Sequence, residues 1–109
     1  MNVNEKAANP EAVEEYYFLS IKLGLMKPYD LCAQLEQGLF SRVLTKEERN
    51  LIAIDVVSRF YEFSTMKSRN LMTLYESMVI EYETDSYYKC VCDCIIEEFR
   101  LRDAKLGIR

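Results

Sequence analysis

Histidine and tryptophan are absent from this 109-residue sequence, which also contains only three glycines and two prolines. Histidine is the commonest general base in enzymes and the usual partner of a nucleophilic serine or cysteine. Its absence therefore weighs against most hydrolytic chemistry. The scarcity of glycine and proline leaves too few turns for an all-β sandwich or barrel, and it favours a few long helices instead.

Sequence features that bind phosphate, cross a membrane or direct secretion are missing as well. No glycine-rich phosphate loop is present, and no apolar run approaches the roughly 20 residues that span a bilayer. The N-terminal stretch MNVNEKAANP lacks the basic and then apolar pattern of a signal peptide. We therefore expect a cytoplasmic protein without a cofactor, in which the four cysteines are reduced thiols.

The composition is typical of a folded domain rather than of a disordered chain. Hydrophobic residues make up 50% and charged residues 29%, which provides enough apolar surface for a core. Fourteen basic and 18 acidic residues give a net charge of -4, a mild acidic excess that suits solubility and does not create the positive field that nucleic-acid binding needs. We predict a single helical domain over residues 9–109, preceded by a flexible N-terminal arm at residues 1–8.

Capping signals delimit four to five helices in this domain, and we predict that they form an all-α bundle. The candidate caps are Asn9, Thr45, Ser68 and either Thr84 or Asp85. Thr45 is followed three residues later by Glu48, which is the pattern of a capping box. The predicted helices span approximately residues 10–23, 28–37, 45–63, 68–83 and 85–106. The third and fourth of these could also be one kinked helix.

The stretch YYKCVCDCII at residues 87–96 contains three of the four cysteines. On a helix Cys90 and Cys94 share one face and Cys92 points the opposite way, so the three cannot converge on a metal ion. We therefore predict no metal site and interpret Cys92 as a core residue. Cys90 and Cys94 are placed at the flank of the buried face, which makes them the candidate reactive thiols.

The third predicted helix is apolar nearly all round, with a narrow polar edge of Glu48, Asp55 and Glu62. Such a helix lies at the centre of a bundle or is buried by a partner chain. An alternative function follows from this pattern. The protein could be a structural homo-oligomer, such as a homodimer, that buries the apolar faces of the third and fifth helices between chains.

The first predicted helix carries the candidate protein-binding surface. Val13, Ser20 and Gly24 are assigned to its inward line, whereas a helical wheel places an aromatic side chain in the middle of its charged face. An aromatic residue surrounded by charges has the anchor-and-rim layout of an interface. A lone exposed apolar residue, or a helix packed on both sides, would give the same pattern. The candidate binding residues are Glu11, Glu14, Glu15, Phe18 and Lys22.

The last ten residues, RLRDAKLGIR, contain four basic residues and one acidic residue. Cations are favoured at the C-terminus of a helix by its dipole, which is sufficient to account for them. The alternative is a docking tail for an acidic surface or for RNA. A nucleic-acid-associated regulator that uses this tail is therefore a further alternative, although nucleic-acid binding is not expected from the overall charge.

These features favour a non-enzymatic, cytoplasmic protein-binding module that acts through an acidic and aromatic helical surface. We interpret the sequence as that of an inhibitor, an adaptor or an immunity- or antitoxin-like protein, since such proteins are small and acidic. Its partner would be another protein, with no membrane involved. An enzyme is not expected, because neighbouring carboxylates such as Glu14 and Glu15 point about 100° apart on a helix and do not face one substrate.

Overall fold

The computed structural model describes residues 9–107, with side chains described as far as Ala104. Their five α-helices are α1 (Pro10–Lys22), α2 (Leu31–Gln37), α3 (Lys46–Tyr61), α4 (Ser68–Met78) and α5 (Ser86–Gly107). Short 3₁₀ turns are found at Pro28–Asp30, Phe63–Thr65 and Val79–Glu81. No strand occurs among these residues, so the predicted all-α bundle of four to five helices is confirmed. The predicted arm at residues 1–8 lies outside the described part of the chain.

Capping interactions set where α1 and α3 begin. Asn9 Oδ1 accepts a hydrogen bond from the backbone N–H of Glu11 at 2.9 Å. Thr45 Oγ1 accepts from the N–H of Glu48 at 3.1 Å, and Glu48 Oε1 accepts from the N–H of Thr45 at 2.8 Å. These bonds satisfy N–H groups that have no partner in the first turn of a helix. Both predicted helix starts are therefore confirmed.

α3 and α4 are separate helices. α3 ends at Tyr61 because Glu62 adopts the left-handed conformation, with φ 54° and ψ 50°. Lys67, which makes no side-chain capping bond, occupies the position before α4, so the predicted cap at Ser68 is wrong. The Ser68 hydroxyl instead accepts a hydrogen bond from Arg102 Nη1 at 2.8 Å, which ties the start of α4 to α5.

α3 and α5 form the centre of the bundle. α3 contacts α1, α2 and α5, whereas α5 contacts α2, α3 and α4. α1 packs chiefly on α3, and α4 packs chiefly on α5, so these two helices lie outermost. The central position predicted for the third helix is confirmed. Most apolar side chains of α3 and α5 are buried or half-buried within one chain, whereas Leu51, Ile96 and Leu101 remain exposed. A homo-oligomer through these two helices stays a prediction.

The core joins side chains from every helix. Leu31, Val56, Leu71 and Ile95, one from each of α2 to α5, have no exposed surface. α1 contributes a line of three residues at spacings of four, namely Val13, Tyr17 and Ile21. Burial of each large aliphatic side chain stabilises the fold by about 1.5–3 kcal/mol relative to exposure. The bundle is therefore held mainly by this shared apolar core.

Candidate functional site

The orientation of α1 differs from the predicted one. The buried line runs through Val13, Tyr17 and Ile21, whereas Ser20 is only half-buried and Gly24, at φ 79°, lies beyond the helix end. The aromatic side chain of Tyr17 sets the orientation of α1, because it fills core space that the small side chain of Ser20 cannot fill. The predicted inward line is therefore confirmed at Val13 and wrong at Ser20 and Gly24.

The predicted binding residues on α1 are joined by one cation from α3. Arg59 Nη1 donates to Glu14 Oε2 at 3.2 Å and to Glu15 Oε1 at 3.1 Å. Its guanidinium carbon lies 3.9 Å from the centroid of the Phe18 ring, and Lys22 Nζ lies 5.6 Å from the same centroid. We call Glu14, Glu15, Phe18 and Arg59 the Arg59 cluster.

Burial and charge oppose each other in the Arg59 cluster. Partial burial raises the pKa of Glu14, while its hydrogen bond with Arg59 acts in the opposite direction. The hydrogen bond to Glu15 is the main reason that the pKa of Arg59 is raised. The two hydrogen-bonded ion pairs and the cation above the Phe18 ring fasten α1 to α3.

Phe18 is consequently not the exposed anchor that was predicted. Its ring is half-buried, packs against the core and is covered by Arg59. Glu11 and Lys22 are exposed, as expected for residues on the polar face. The structure assigns Phe18 a role in packing, and the role of these five residues in binding a partner stays a prediction.

A different face of α1 is exposed and apolar. Tyr16, Leu19 and Leu23 are 50%, 42% and 69% exposed, and Ala12, one turn earlier, is exposed beside them. The Tyr16 ring also contacts the half-buried Phe40 ring, at 5.6 Å between centroids. We call Ala12, Tyr16, Leu19 and Leu23 the α1 seam. The helical spacing of these residues is present in the sequence, but the predicted binding surface lies on the neighbouring face, around Phe18.

A second apolar surface lies between α4 and α5, where the two helices leave a groove of about 340 Å³. Met72, on α4, and Ile96, on α5, are 44% and 47% exposed, and the half-buried rings of Tyr75 and Phe99 also line it. Arg100 and Asp103 complete its edge on α5. We call these six residues the α4–α5 groove, which the sequence did not predict.

The basic tail is partly used within the fold. Arg100 Nε donates to Glu97 Oε1 at 3.0 Å, and Arg102 Nε donates to Glu98 Oε2 at 2.9 Å. Arg102 Nη2 also donates to the carbonyl oxygens of Phe63, at 3.2 Å, and Met66, at 2.6 Å. Two of the four basic residues of the tail thus bond within the chain, and Lys105 and Arg109 lie beyond the described side chains.

The candidate thiols are more buried than predicted. Cys90 is 8% exposed and Cys94 is 3% exposed, because α5 packs against α2, α3 and α4 and leaves little of this surface free. Cys94 Sγ lies 3.6 Å from the carbonyl oxygen of Ile54. Cys92 is fully buried, as predicted. The placement of Cys90 and Cys94 at the margin of the core is therefore wrong.

Cys32, which local spacing could not relate to the other cysteines, lies beside Cys90 in the lining of one cleft. Hydrogen bonding to Cys32 and then to Cys94, with burial, raises the pKa of Cys90. Interaction with the Cys90 thiol lowers the pKa values of Cys32 and Cys94. Cys32 and Cys90 line a narrow cleft of about 160 Å³ together with Lys89. Of these thiols, only Cys32 combines a lowered pKa with partial exposure.

A cluster of tyrosine side chains lies at the C-terminal end of α3. The hydroxyl groups of Tyr61 and Tyr87 are hydrogen-bonded, and the ring centroids of Tyr29 and Tyr87 are 6.5 Å apart. Burial, and then the hydrogen bond with Tyr61, raises the pKa of Tyr87. This arrangement keeps Tyr87 neutral and packs the start of α5 against the end of α3.

Among the side chains of residues 9–104, no three Asp, Glu or Cys groups come together in a way that could hold a metal ion. None of the described helices combines the length and apolar character that a membrane span requires. Comparison with protein-family models, curated proteins and solved structures found no match for the chain.

Proposed function

We propose that the protein is a non-enzymatic protein-binding module, an inhibitor or adaptor, whose α4–α5 groove receives an amphipathic helix of a partner protein. The groove itself is the observation that carries this proposal. Two neighbouring helices leave Met72 and Ile96 facing solvent beside aromatic walls. On soluble proteins, contiguous exposed apolar patches with a polar rim mark sites of interaction with other proteins.

The residues of the groove suit a helical partner. Met72 and Tyr75 on α4, and Ile96 and Phe99 on α5, are each three residues apart and line the groove from its two helices. A groove between two helices accepts the apolar face of a third helix, with anchors spaced three or four residues apart. Methionine adapts its shape to different anchors, which suits a binding surface.

The rim adds polar selectivity. Arg100 and Asp103 place opposite charges along one edge of the groove. A partner whose apolar anchors are flanked by one acidic and one basic side chain complements this edge. Such rim charges contribute more to specificity and association rate than to affinity.

The side chains that could take part in catalysis give little support to an enzymatic function. No histidine exists in the chain, and the carboxylates of the Arg59 cluster are bonded to a cation rather than directed into a cleft. Cys90 lines a cleft, but its raised pKa keeps it in the less nucleophilic thiol form. The binding proposal needs none of these groups.

Affinity capture from an extract of the natural source, with variants that differ only in the groove, tests the proposal. The groove variant is Ile96→Glu, and Ile80→Glu is the matched control because Ile80 is also exposed but does not line the groove. Circular dichroism establishes that both variants are folded. We expect the wild type and Ile80→Glu to capture the same protein and Ile96→Glu to lose it.

A peptide that spans the contact region of the captured protein then locates the site. Its addition should shift the amide resonances of Met72, Tyr75 and Ile96 in a nuclear magnetic resonance titration. A folded Ile96→Glu variant that still captures the protein, or shifts confined to α1, would place binding outside the groove and overturn the proposal.

A further inference from the structure

The α1 seam has the residue spacing of a helix-pairing surface. Ala12, Tyr16, Leu19 and Leu23 follow one another at intervals of four, three and four residues, which is the spacing of the a and d positions in a coiled coil. The opposite side of α1, through Val13, Tyr17 and Ile21, is already packed into the bundle. α1, together with Leu23 at its C-cap, therefore presents a second seam to solvent.

We infer that two copies of the chain associate through the α1 seam as an antiparallel, two-fold symmetric dimer. With the two-fold axis beside residues 17 and 18, Tyr16 of one copy faces Leu19 of the second copy. The same alignment sets Ala12 opposite Leu23 of the second copy. Each of the four layers thus pairs a smaller side chain with a larger one, which is how facing residues interdigitate.

The charges beside the seam favour this direction. Glu15 and Lys22 lie two turns apart on the same edge of α1, each just before a seam residue, at the positions that coiled coils use for ion pairs between helices. In the antiparallel alignment Glu15 of each copy meets Lys22 of the other, which gives two symmetric pairs. A parallel alignment would set Glu15 opposite Ser20 of the second copy and form no ion pair.

The groups needed for these pairs are accessible. The side chain of Glu15 is 51% exposed, and its bond with Arg59 uses only Oε1. Lys22 is exposed at the end of α1. Phe40, which contacts Tyr16, extends the apolar surface on the other edge of the seam. Neither the α1 seam nor its charged edge includes a residue of the α4–α5 groove.

The dimer is expected to be weak. A seam of four layers with its flanking side chains buries roughly 1,000 Å² in total, at the lower end of specific interfaces. We therefore expect association in the micromolar range. This differs from the dimer considered from the sequence, because that dimer used the third and fifth helices.

Sedimentation velocity of the purified protein, over a range from low to high micromolar concentration, tests association. Leu19→Glu removes a layer on each side of the axis, and Leu51→Glu is the matched control because Leu51 is an exposed leucine of α3. We expect the wild type and Leu51→Glu to show the same shift from monomer to dimer, and Leu19→Glu to remain monomeric while keeping wild-type helix content. A wild type that stays monomeric, or a folded Leu19→Glu variant that still dimerises, overturns the inference.

Charge exchange tests the direction of pairing. Glu15→Lys and Lys22→Glu should each weaken dimerisation by several-fold, because each sets like charges against one another in both symmetric pairs. The double variant should recover most of the affinity, since it restores opposite charges in the antiparallel alignment. Failure of the double variant to recover, in a protein with wild-type helix content, rejects the antiparallel arrangement.

Discussion

The guanidinium carbon of Arg59 lies 3.9 Å above the centroid of the Phe18 ring, so that a cation from α3 covers an aromatic side chain of α1. The same guanidinium bonds to Glu14 and Glu15. An aromatic residue within a charged face, which from the sequence resembles a binding anchor, is thus part of the contact between two helices. This has direct consequences for mutagenesis.

Phe18→Ala should destabilise the protein by about 2 kcal/mol, roughly half the cost of truncating a fully buried phenylalanine. The ring is half-buried and packs against the core, so its loss leaves apolar surface unpaired. Urea unfolding measures the change, and Leu51→Ala serves as a control at an exposed apolar position. A Phe18→Ala variant as stable as the wild type would show that the ring contributes only to the surface.

Arg59→Ala should cost less than about 1 kcal/mol, because both its ion pairs and its contact with the ring are only partly desolvated. A double-mutant cycle with Phe18→Ala should give a coupling energy of about 0.5–1 kcal/mol. Additive effects of the two substitutions would mean that the cation and the ring do not interact in solution.

Arg102→Ala should destabilise the protein by about 2–3 kcal/mol, because one side chain donates to the carbonyl groups of Phe63 and Met66 and to the hydroxyl of Ser68. Arg102→Lys should recover only part of this loss, since an ammonium group cannot reproduce the forked geometry. Thermal and urea unfolding measure both variants, and Arg100→Ala is the control at an exposed arginine of the same helix. Equal stabilities for Arg102→Ala and Arg100→Ala would contradict the anchoring role.

Tyr87 should make stability depend on alkaline pH. Its pKa is raised in the folded state, first by burial and then by the hydrogen bond with Tyr61. The unfolded chain releases this proton near pH 10, while the folded chain retains it. The stabilising contribution is therefore complete below about pH 10 and falls above it, by about 1.4 kcal/mol per pH unit.

Tyr87→Phe isolates this effect. At neutral pH the variant should be less stable by about 1 kcal/mol, because the hydrogen bond to Tyr61 is lost. Urea unfolding between neutral pH and pH 11 should show the wild type losing stability faster than the variant above pH 10. Parallel curves for the two proteins would indicate that Tyr87 titrates normally in the fold.

Alkylation should modify Cys32 first and Cys92 last. Cys32 is half-buried, and its pKa is lowered by the hydrogen bond from Cys90, whereas burial raises the pKa of Cys92. Thiolate character and access together set the rate of reaction. A time course with iodoacetamide, followed by peptide mass spectrometry, measures the order, and denaturant provides the control in which all four thiols react. Cys92 reacting as fast as Cys32 would contradict the helix faces of α5.

Helix starts could be predicted from the sequence because capping is local. Asn9 and Thr45 need only the backbone of the next turn, and both form the expected bonds. The end of α3 could not be predicted so closely, because Glu62 adopts a left-handed conformation that is usually the property of glycine. Ser68 was predicted as a cap, but its hydroxyl accepts a hydrogen bond from Arg102, which is 34 residues away in the sequence.

The candidate surfaces were harder to predict because they depend on which side of a helix meets the core. Tyr16, Tyr17 and Phe18 are consecutive aromatic residues that spread over more than half of the circumference of α1, and hydropathy does not distinguish them. Only the packing of Tyr17 into the core places Tyr16 on the surface and Phe18 beside α3. The α4–α5 groove likewise results from the approach of two helices, which no local pattern encodes.

The central position of α5 has a consequence for synthesis of the protein. Of the five helices, α5 is the last to leave the ribosome, yet Val91 and Ile95 supply the middle of the core. Until α5 emerges, Val56 and its neighbours on α3 have no partner on that side, and the nascent chain exposes apolar surface that chaperones bind. A chain that ends before Ser86 is therefore expected to aggregate, even though its first four helices are complete.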